Sequence, residues 1–282
     1  MSVKSFAPQN MAELFSDLAK MTPESKIIAG GTDLNIRLHG GSVKTDALLY
    51  VGGISEMRQI VKTEDKVEIG AAATMSEIAK NPLLQRGLAA IADAAGDVGS
   101  TQIRNNATIG GNVANASPAG DIIVPLFMLK AEAVIANSKG QLRCVPISEV
   151  VLGPSKNSLG YDEAIVKFVL PLPLPGRRSA FVKLGFRKAV NIARIGLAAS
   201  LEVAEDGLIK AAEMMVGAIS LVPLHMEAAE QYMLGKRPDE AVETVGQMLS
   251  DLIMEKTPKE FDRDYKVGAA RGAVDDLLRR FC

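Results

Sequence analysis

Apolar residues recur along the chain in short runs that alternate between helical and extended spacing. Residues 12–18 place Leu14, Phe15 and Leu18 on one helical face. Residues 26–29, Lys-Ile-Ile-Ala, form an apolar run closed by glycine and predict a short buried strand. Residues 33–38 predict the start of a helix, with Leu34 and Leu38 spaced i, i+4. A strand at 47–51 completes a βαβ-like module. Further on, 67–72 predicts a strand, and Thr74-Met75-Ser76-Glu77 is a capping box opening a helix that stops before Asn81-Pro82. An alanine-rich helix is expected at 83–95, and the apolar run 122–129 predicts a further helix beginning near Asp121. Residues 131–136 and 142–147 predict a hairpin across Asn137-Ser138-Lys139-Gly140, and 163–170 an apolar strand.

Three prolines within residues 171–175 cannot continue helix or sheet, so a domain boundary is expected there. Beyond it, 180–186 and 195–204 predict strands. Glu205-Asp206-Gly207 predicts a hairpin turn into a further strand at 208–219. Helices at 226–234, 238–254 and 263–280 finish the pattern.

Composition narrows the class of protein. At 282 residues the chain is long for one core, and 48% apolar with 23% charged residues describes a folded globular chain. Its 32 basic and 33 acidic residues give a net charge of −1, which offers no footprint for nucleic acid. No apolar run approaches the length of a membrane span, and the first residues lack an apolar signal region. Two distant cysteines, Cys144 and Cys282, make no disulfide framework, so a cytoplasmic protein is expected. Cys144 falls within a predicted strand and is expected as a small buried hydrophobe. With His39 and His225 the only histidines, no metal site is predicted and no residue is assigned a catalytic acid or base role. His39 is placed as a solvated residue at a helix end and His225 as structural. Four thiolates for an iron–sulfur cluster are also missing, so redox chemistry here would need an organic cofactor.

Candidate chemistry lies in two glycine pairs. Gly30-Gly31-Thr32 sits between the predicted strand and helix, where successive N–H groups could cradle phosphate, or could form an ordinary βα turn. It matches neither Gly-x-Gly-x-x-Gly nor a Walker loop. Residues 108–121, Thr-Ile-Gly-Gly-Asn-Val-Ala-Asn-Ala-Ser-Pro-Ala-Gly-Asp, hold the second pair. Two such loops suggest two backbone cradles around one elongated ligand, such as a pyrophosphate between organic halves.

Ala29-Gly30-Gly31-Thr32-Asp33-Leu34, then Gln102-Ile103-Arg104-Asn105 leading into Thr108-Ile109-Gly110-Gly111-Asn112, resembles the FAD-binding medium subunit of the molybdenum hydroxylases. That family includes the xanthine, carbon monoxide and nicotinate dehydrogenases. Order and spacing match, and the resemblance extends from about Phe6 to Arg280. It implies an α+β chain. The FAD-binding part would comprise a small βαβ-like subdomain (1–55) and a larger mixed-sheet subdomain (56–172). A C-terminal domain (177–282) would carry an antiparallel sheet packed with three helices.

The resemblance also implies a non-covalent FAD whose pyrophosphate and ribityl chain lie against Ile28, Ala29, Gly30, Gly31, Thr32, Asp33 and Leu34. Thr108, Ile109, Gly110, Gly111 and Asn112 would form the other side. In both stretches backbone N–H groups would bind the anion, with Thr32 and Thr108 adding hydroxyls. Asp121 is implied near the ribityl or ribose hydroxyls, or as the N-cap of the following helix. Ile165 would pack on the cofactor or in the core. Lys183 would sit beside the flavin and stabilise its anionic reduced form, or point outward from a strand. An aromatic that stacks on the ring in some relatives is replaced here by Asn191-Ile192-Ala193. The cysteine-rich insertion of the benzoyl-CoA reductase branch is also missing.

Such a subunit would take electrons from 2Fe–2S clusters on a small partner, themselves fed by a large molybdopterin subunit. It would pass them to NAD or another acceptor, in a dimer of heterotrimers. A self-sufficient FAD oxidase or reductase, and a non-catalytic dinucleotide-binding assembly module, are the two other functions compatible with the motifs.

Overall fold

The computed structural model describes residues 3–187 and 190–282. The chain forms two compact units, each assembled from segments separated in sequence. The first takes residues 1–78, 100–116 and 130–171, the second 79–99, 117–129 and 172–282.

The first unit opens with a three-stranded parallel sheet in the order β1 (Lys4–Phe6), β3 (Ala47–Tyr50), β2 (Lys26–Ile28). Helices α1 (Met11–Leu18) and α2 (Leu34–His39) lie in its connections. Leu14 and Leu18 of α1 are fully buried, as the helical spacing predicts. Asn10 caps α1 by accepting from the Glu13 N–H at 2.9 Å.

The larger sheet runs β4 (Ile60–Lys62), β5 (Lys66–Gly70), β10 (Glu163–Pro171), β6 (Glu132–Asn137), β7 (Leu142–Pro146). It is antiparallel throughout, rather than mixed, because β10 enters between β5 and β6 running against both. The expected hairpin is β6–β7, with Gly140 at φ +74°. The Thr74–Glu77 capping box is formed in both directions: Thr74 N donates to Glu77 Oε2 at 2.8 Å, and Glu77 N to Thr74 Oγ1 at 3.2 Å. It opens α3 (Met75–Lys80). Short elements complete the unit: α5 (Thr101–Arg104), α6 (Ile109–Asn115), α8 (Ile147–Val150) and the β8 (Val151–Gly153) and β9 (Lys156–Asn157) ribbon.

Cys144 corrects one expectation. It is exposed, because β7 is the edge strand of its sheet and its residues alternate only between exposed and half-buried. Partial burial of the Cys144 thiol, and then the Glu132 carboxylate 3.5 Å away, hold its pKa above the usual thiol value.

The second unit is an antiparallel sheet, β11 (Arg177–Leu184), β12 (Ile195–Val203), β13 (Ile209–Gly217) and β14 (Leu224–His225). Five helices accompany it: α4 (Ala89–Asp97), α7 (Ile123–Met128), α9 (Glu227–Met233), α10 (Pro238–Lys256) and α11 (Arg263–Leu278). The last three are the expected C-terminal helices. The alanine-rich helix α4 starts at 89 and not 83, because Arg86–Leu88 forms a 3-10 turn whose first residue has φ 52°.

β12 is buried along seven consecutive residues. Ile195, Leu197, Ala199 and Leu201 enter a core shared with α10 and α11. Gly196 and Gly217 instead meet α7, where a Cβ on Gly217 would fall 2.4 Å from Val124 Cγ2. Small residues on that face therefore set how closely α7 can approach. His225 pairs with Glu230 at 2.6 Å, and Glu230 also accepts the Met214 N–H, so the histidine braces the end of this sheet.

Among the described residues no helix is long and apolar enough to cross a membrane, and no group of three His, Cys, Asp or Glu side chains is placed to hold a metal ion. Leu197→Ala should cost about 2–5 kcal/mol through lost burial and the cavity left behind. Urea unfolding followed by circular dichroism measures it; a loss under about 1 kcal/mol would mean that this core repacks freely.

Candidate functional site

The glycine pair between β2 and α2 is held by contacts that no side chain could share. A Cβ on Gly30 would lie 1.9 Å from the Asn106 carbonyl oxygen, so the two backbones pack directly. Gly31 has φ +66°, a left-handed conformation that costs an L-residue about 1–2 kcal/mol. Among the described residues, the N–H groups of Gly30, Gly31 and Thr32 donate to no protein acceptor. Three consecutive free donors on a turn form a concave anion-binding surface.

The second glycine pair differs from expectation. Gly110 and Gly111 lie inside α6, with Thr108 as its N-cap. Their N–H groups are already used: Ile109 donates to Ala73 O, Gly110 to Ala71 O, and Gly111 to Thr108 Oγ1. Gly110 is required because a Cβ there would meet Ala71 at 2.7 Å. The second stretch therefore contributes surface and side chains, and the first contributes the free donors.

Both stretches line one cavity of about 500 Å³ within the first unit. Ile28, Ala29, Gly30, Gly31, Thr32, Asp33 and Leu34 line it, together with Thr108, Gly111 and Asn112. Ile109 and Gly110 are buried in α6, outside the lining. Ile165 is a buried residue of β10 opposite Ile135, also outside it. The Asn112 side-chain oxygen is buried and has no hydrogen-bond partner, a cost of about 1–3 kcal/mol that a ligand donor would offset. Lys26 and Arg37 bring two cations to the lining. Arg37 is only loosely engaged, 3.7 Å from Asp33 with both groups half-exposed. Free backbone donors, a spare amide and two cations fit a phosphorylated ligand.

Sequence reasoning missed Lys26, Arg37, Asn157, Leu159 and Tyr161 in this lining. The cluster Asn157-Ser158-Leu159-Gly160 was a legible turn signal, but nothing local told which surface it would face.

Asp121 and Lys183 come together in the second unit. Lys183 Nζ is 2.6 Å from Asp121 Oδ2 and 3.0 Å from the Asp97 carbonyl, with both side chains 6% exposed. Lys183 is thus a buried partner and not an outward strand residue. Asp121 does not cap α7, whose N-cap is Ile122. Its second oxygen, Oδ1, is buried without a partner. Burial pushes the Asp121 carboxyl up to about 6, outweighing the attraction of Lys183, with Asp97 adding repulsion.

This carboxyl binds its proton more tightly folded than unfolded, so its contribution to stability is fully present below about pH 4 and is lost as pH rises through about 6. Against Asp121→Asn, the wild type should lose on the order of 2–3 kcal/mol between pH 4 and 7. Urea unfolding of both proteins across that range gives the difference; parallel pH profiles would show that Asp121 is ionised at its ordinary pKa.

Residues 1–173 match the family model for the FAD binding domain in molybdopterin dehydrogenase, and residues 180–281 that for the CO dehydrogenase flavoprotein C-terminal domain. The chain is 31% identical over 279 residues to the nicotinate dehydrogenase FAD-subunit of Eubacterium barkeri, covering 97% of this chain and 94% of that protein. It is 33% identical over 232 residues to the xanthine dehydrogenase FAD-binding subunit of Escherichia coli O157:H7, covering 80% of this chain and 78% of that one. A solved chain of carbon monoxide dehydrogenase from Hydrogenophaga pseudoflava superimposes with TM-score 0.87 at 27% identity, covering 100% of this chain and 99% of that chain.

Proposed function

Because the chain belongs to the family of FAD-binding subunits of the molybdenum hydroxylases, we propose that it is an electron-transfer oxidoreductase subunit holding one FAD non-covalently. The observation that carries the siting is the run of free N–H groups at Gly30–Thr32 in a cavity that also contains Lys26 and Arg37. These groups bind the diphosphate. The Asn112 amide, turned with its oxygen or nitrogen inward, serves a hydroxyl or a phosphate oxygen.

Bound FAD supplies the carrier of two electrons, and the protein supplies binding, orientation and charge. Asp121 and Lys183 belong to the second unit, and their roles toward the cofactor are carried by the family resemblance. Asp121 Oδ1, buried without a partner, would accept from a cofactor hydroxyl or N–H, and Lys183 would supply a cation for a reduced, anionic flavin. Because Lys183 is paired with Asp121, its electrostatic effect is smaller than that of an isolated lysine. Ile165, buried in β10 and outside the cavity lining, is assigned to the core of its sheet.

The electrons come from 2Fe–2S clusters of a small partner subunit, supplied by a large molybdopterin subunit in a dimer of heterotrimers in the cytoplasm, and leave to NAD⁺. What supports this reading is that the relatives named above are FAD-binding subunits of larger dehydrogenases.

The purified chain should release all its flavin on acid denaturation and have its flavin reduced anaerobically by NADH. It should not oxidise purines or nicotinate alone. Turnover of such a substrate by the isolated chain would instead support a self-sufficient flavoenzyme. Flavin that NADH leaves oxidised would remove NAD⁺ as acceptor.

Gly31→Val should abolish FAD binding, since it strains the turn at φ +66° and would set a Cβ 2.5 Å from the Asn35 amide. Gly111→Val adds bulk at the cavity without removing a free donor, so it should weaken binding less. Flavin content of the two purified variants measures this, and full occupancy in Gly31→Val would remove the cradle.

A further inference from the structure

We propose that the turn at residues 157–163 is the base-recognition wall of the first unit's cavity, with the Tyr161 ring stacking on the purine of the dinucleotide. The proposal rests on the FAD reading above and specifies which part of the ligand this rim takes.

Three observations carry it. First, Tyr161 is the one aromatic side chain among the described residues that line the cavity, and it is 56% exposed. Leu159 lies beside it on the same lining. The lining also carries Lys26, Arg37 and the Gly30–Thr32 donors. A ligand with a charged centre and a flat apolar end matches this lining, with its diphosphate on the glycine turn and its base on Tyr161.

Second, the residues on both sides of Tyr161 are pinned. Asn157 Nδ2 donates to Ala114 O at 2.7 Å while its oxygen accepts from Leu159 N at 3.0 Å. The first of these bonds ties the turn to α6, which carries Gly111 and Asn112. Gly160 N donates to Glu163 Oε2 at 2.9 Å, and Glu163 is itself gripped by Arg143 through two bonds of 2.9 Å. Asp162 accepts from Ser138 Oγ at 2.6 Å. Ser158 N donates to Val150 O.

Third, this rigidity serves no core. Residues 158, 160 and 161 are exposed and bury little apolar area. An exposed turn held by so many polar contacts presents a ring at low entropic cost, which is what stacking on a planar base requires.

The test is equilibrium titration of the flavin-free full chain with FAD, FMN and ADP as separate probes. Tyr161→Ala should weaken FAD and ADP by about 5- to 100-fold, the range for removing one aromatic from under a base. FMN has no purine, and its affinity should be unchanged. Tyr161→Phe should retain wild-type affinity for all three, since the ring and not the hydroxyl acts.

Equal FAD and ADP affinities in wild type and Tyr161→Ala would overturn the proposal while leaving the FAD reading intact. A matching loss for FMN, or an equal loss in Tyr161→Phe, would also overturn it. Should the wild type bind ADP in a Tyr161-dependent way yet refuse FAD, the FAD reading fails and the purine wall stands.

Discussion

The first unit depends on one close approach, the backbone of Gly30 against the carbonyl of Asn106. No Cβ fits there, since it would sit 1.9 Å from that oxygen. The contact brings the β2–α2 turn against the chain entering α6, and from it follow both sides of the cavity. A second close approach, Gly110 on Ala71, seats α6 against the strand end that follows β5. Between them these contacts leave the Gly30–Thr32 N–H groups facing open space while those of 109–111 are consumed. The division of labour between two similar glycine pairs is thus a matter of hydrogen-bond accounting.

In the second unit, small residues act likewise. Gly217 lets α7 pack closely on β13, and α7 follows directly on Asp121. A carboxylate held this deep would be costly alone, and Lys183 from β11 offsets part of the cost. The remaining imbalance is visible in a carboxyl pushed up to about 6 and in an oxygen without a partner. Such unsatisfied groups in a folded chain mark sites completed by a ligand or retained under strain.

Much of this was legible in the sequence. The amphipathic spacing of Leu14 and Leu18, the Thr74–Glu77 box and the Asp206-Gly207 hairpin each specify their element through local physics, and each forms. What was not legible depended on tertiary context. α6 contains two glycines, which disfavour helix, and it forms because Thr108 caps it and Gly110 packs on Ala71. β1 and β4 are three-residue strands, too short for periodicity to register. Cys144 has an apolar-strand context but occupies an edge, a property of sheet order rather than of its neighbours. Lys183 could not be distinguished from an outward residue until Asp121 and the Asp97 carbonyl were placed beside it. The Tyr161 turn offered a clear signal of irregular chain but none of its neighbours in space.

The central claim is that the Gly30–Thr32 N–H groups, and not those of the second glycine pair, hold the diphosphate. Amide hydrogen exchange measured residue by residue, with and without saturating FAD, tests it most directly. The free donors at Gly30, Gly31 and Thr32 should exchange rapidly in the flavin-free chain and become strongly protected on binding. The N–H groups of Ile109, Gly110 and Gly111, already bonded within the protein, should change little. Protection arising at 109–111 while 30–32 continue to exchange freely would contradict the account.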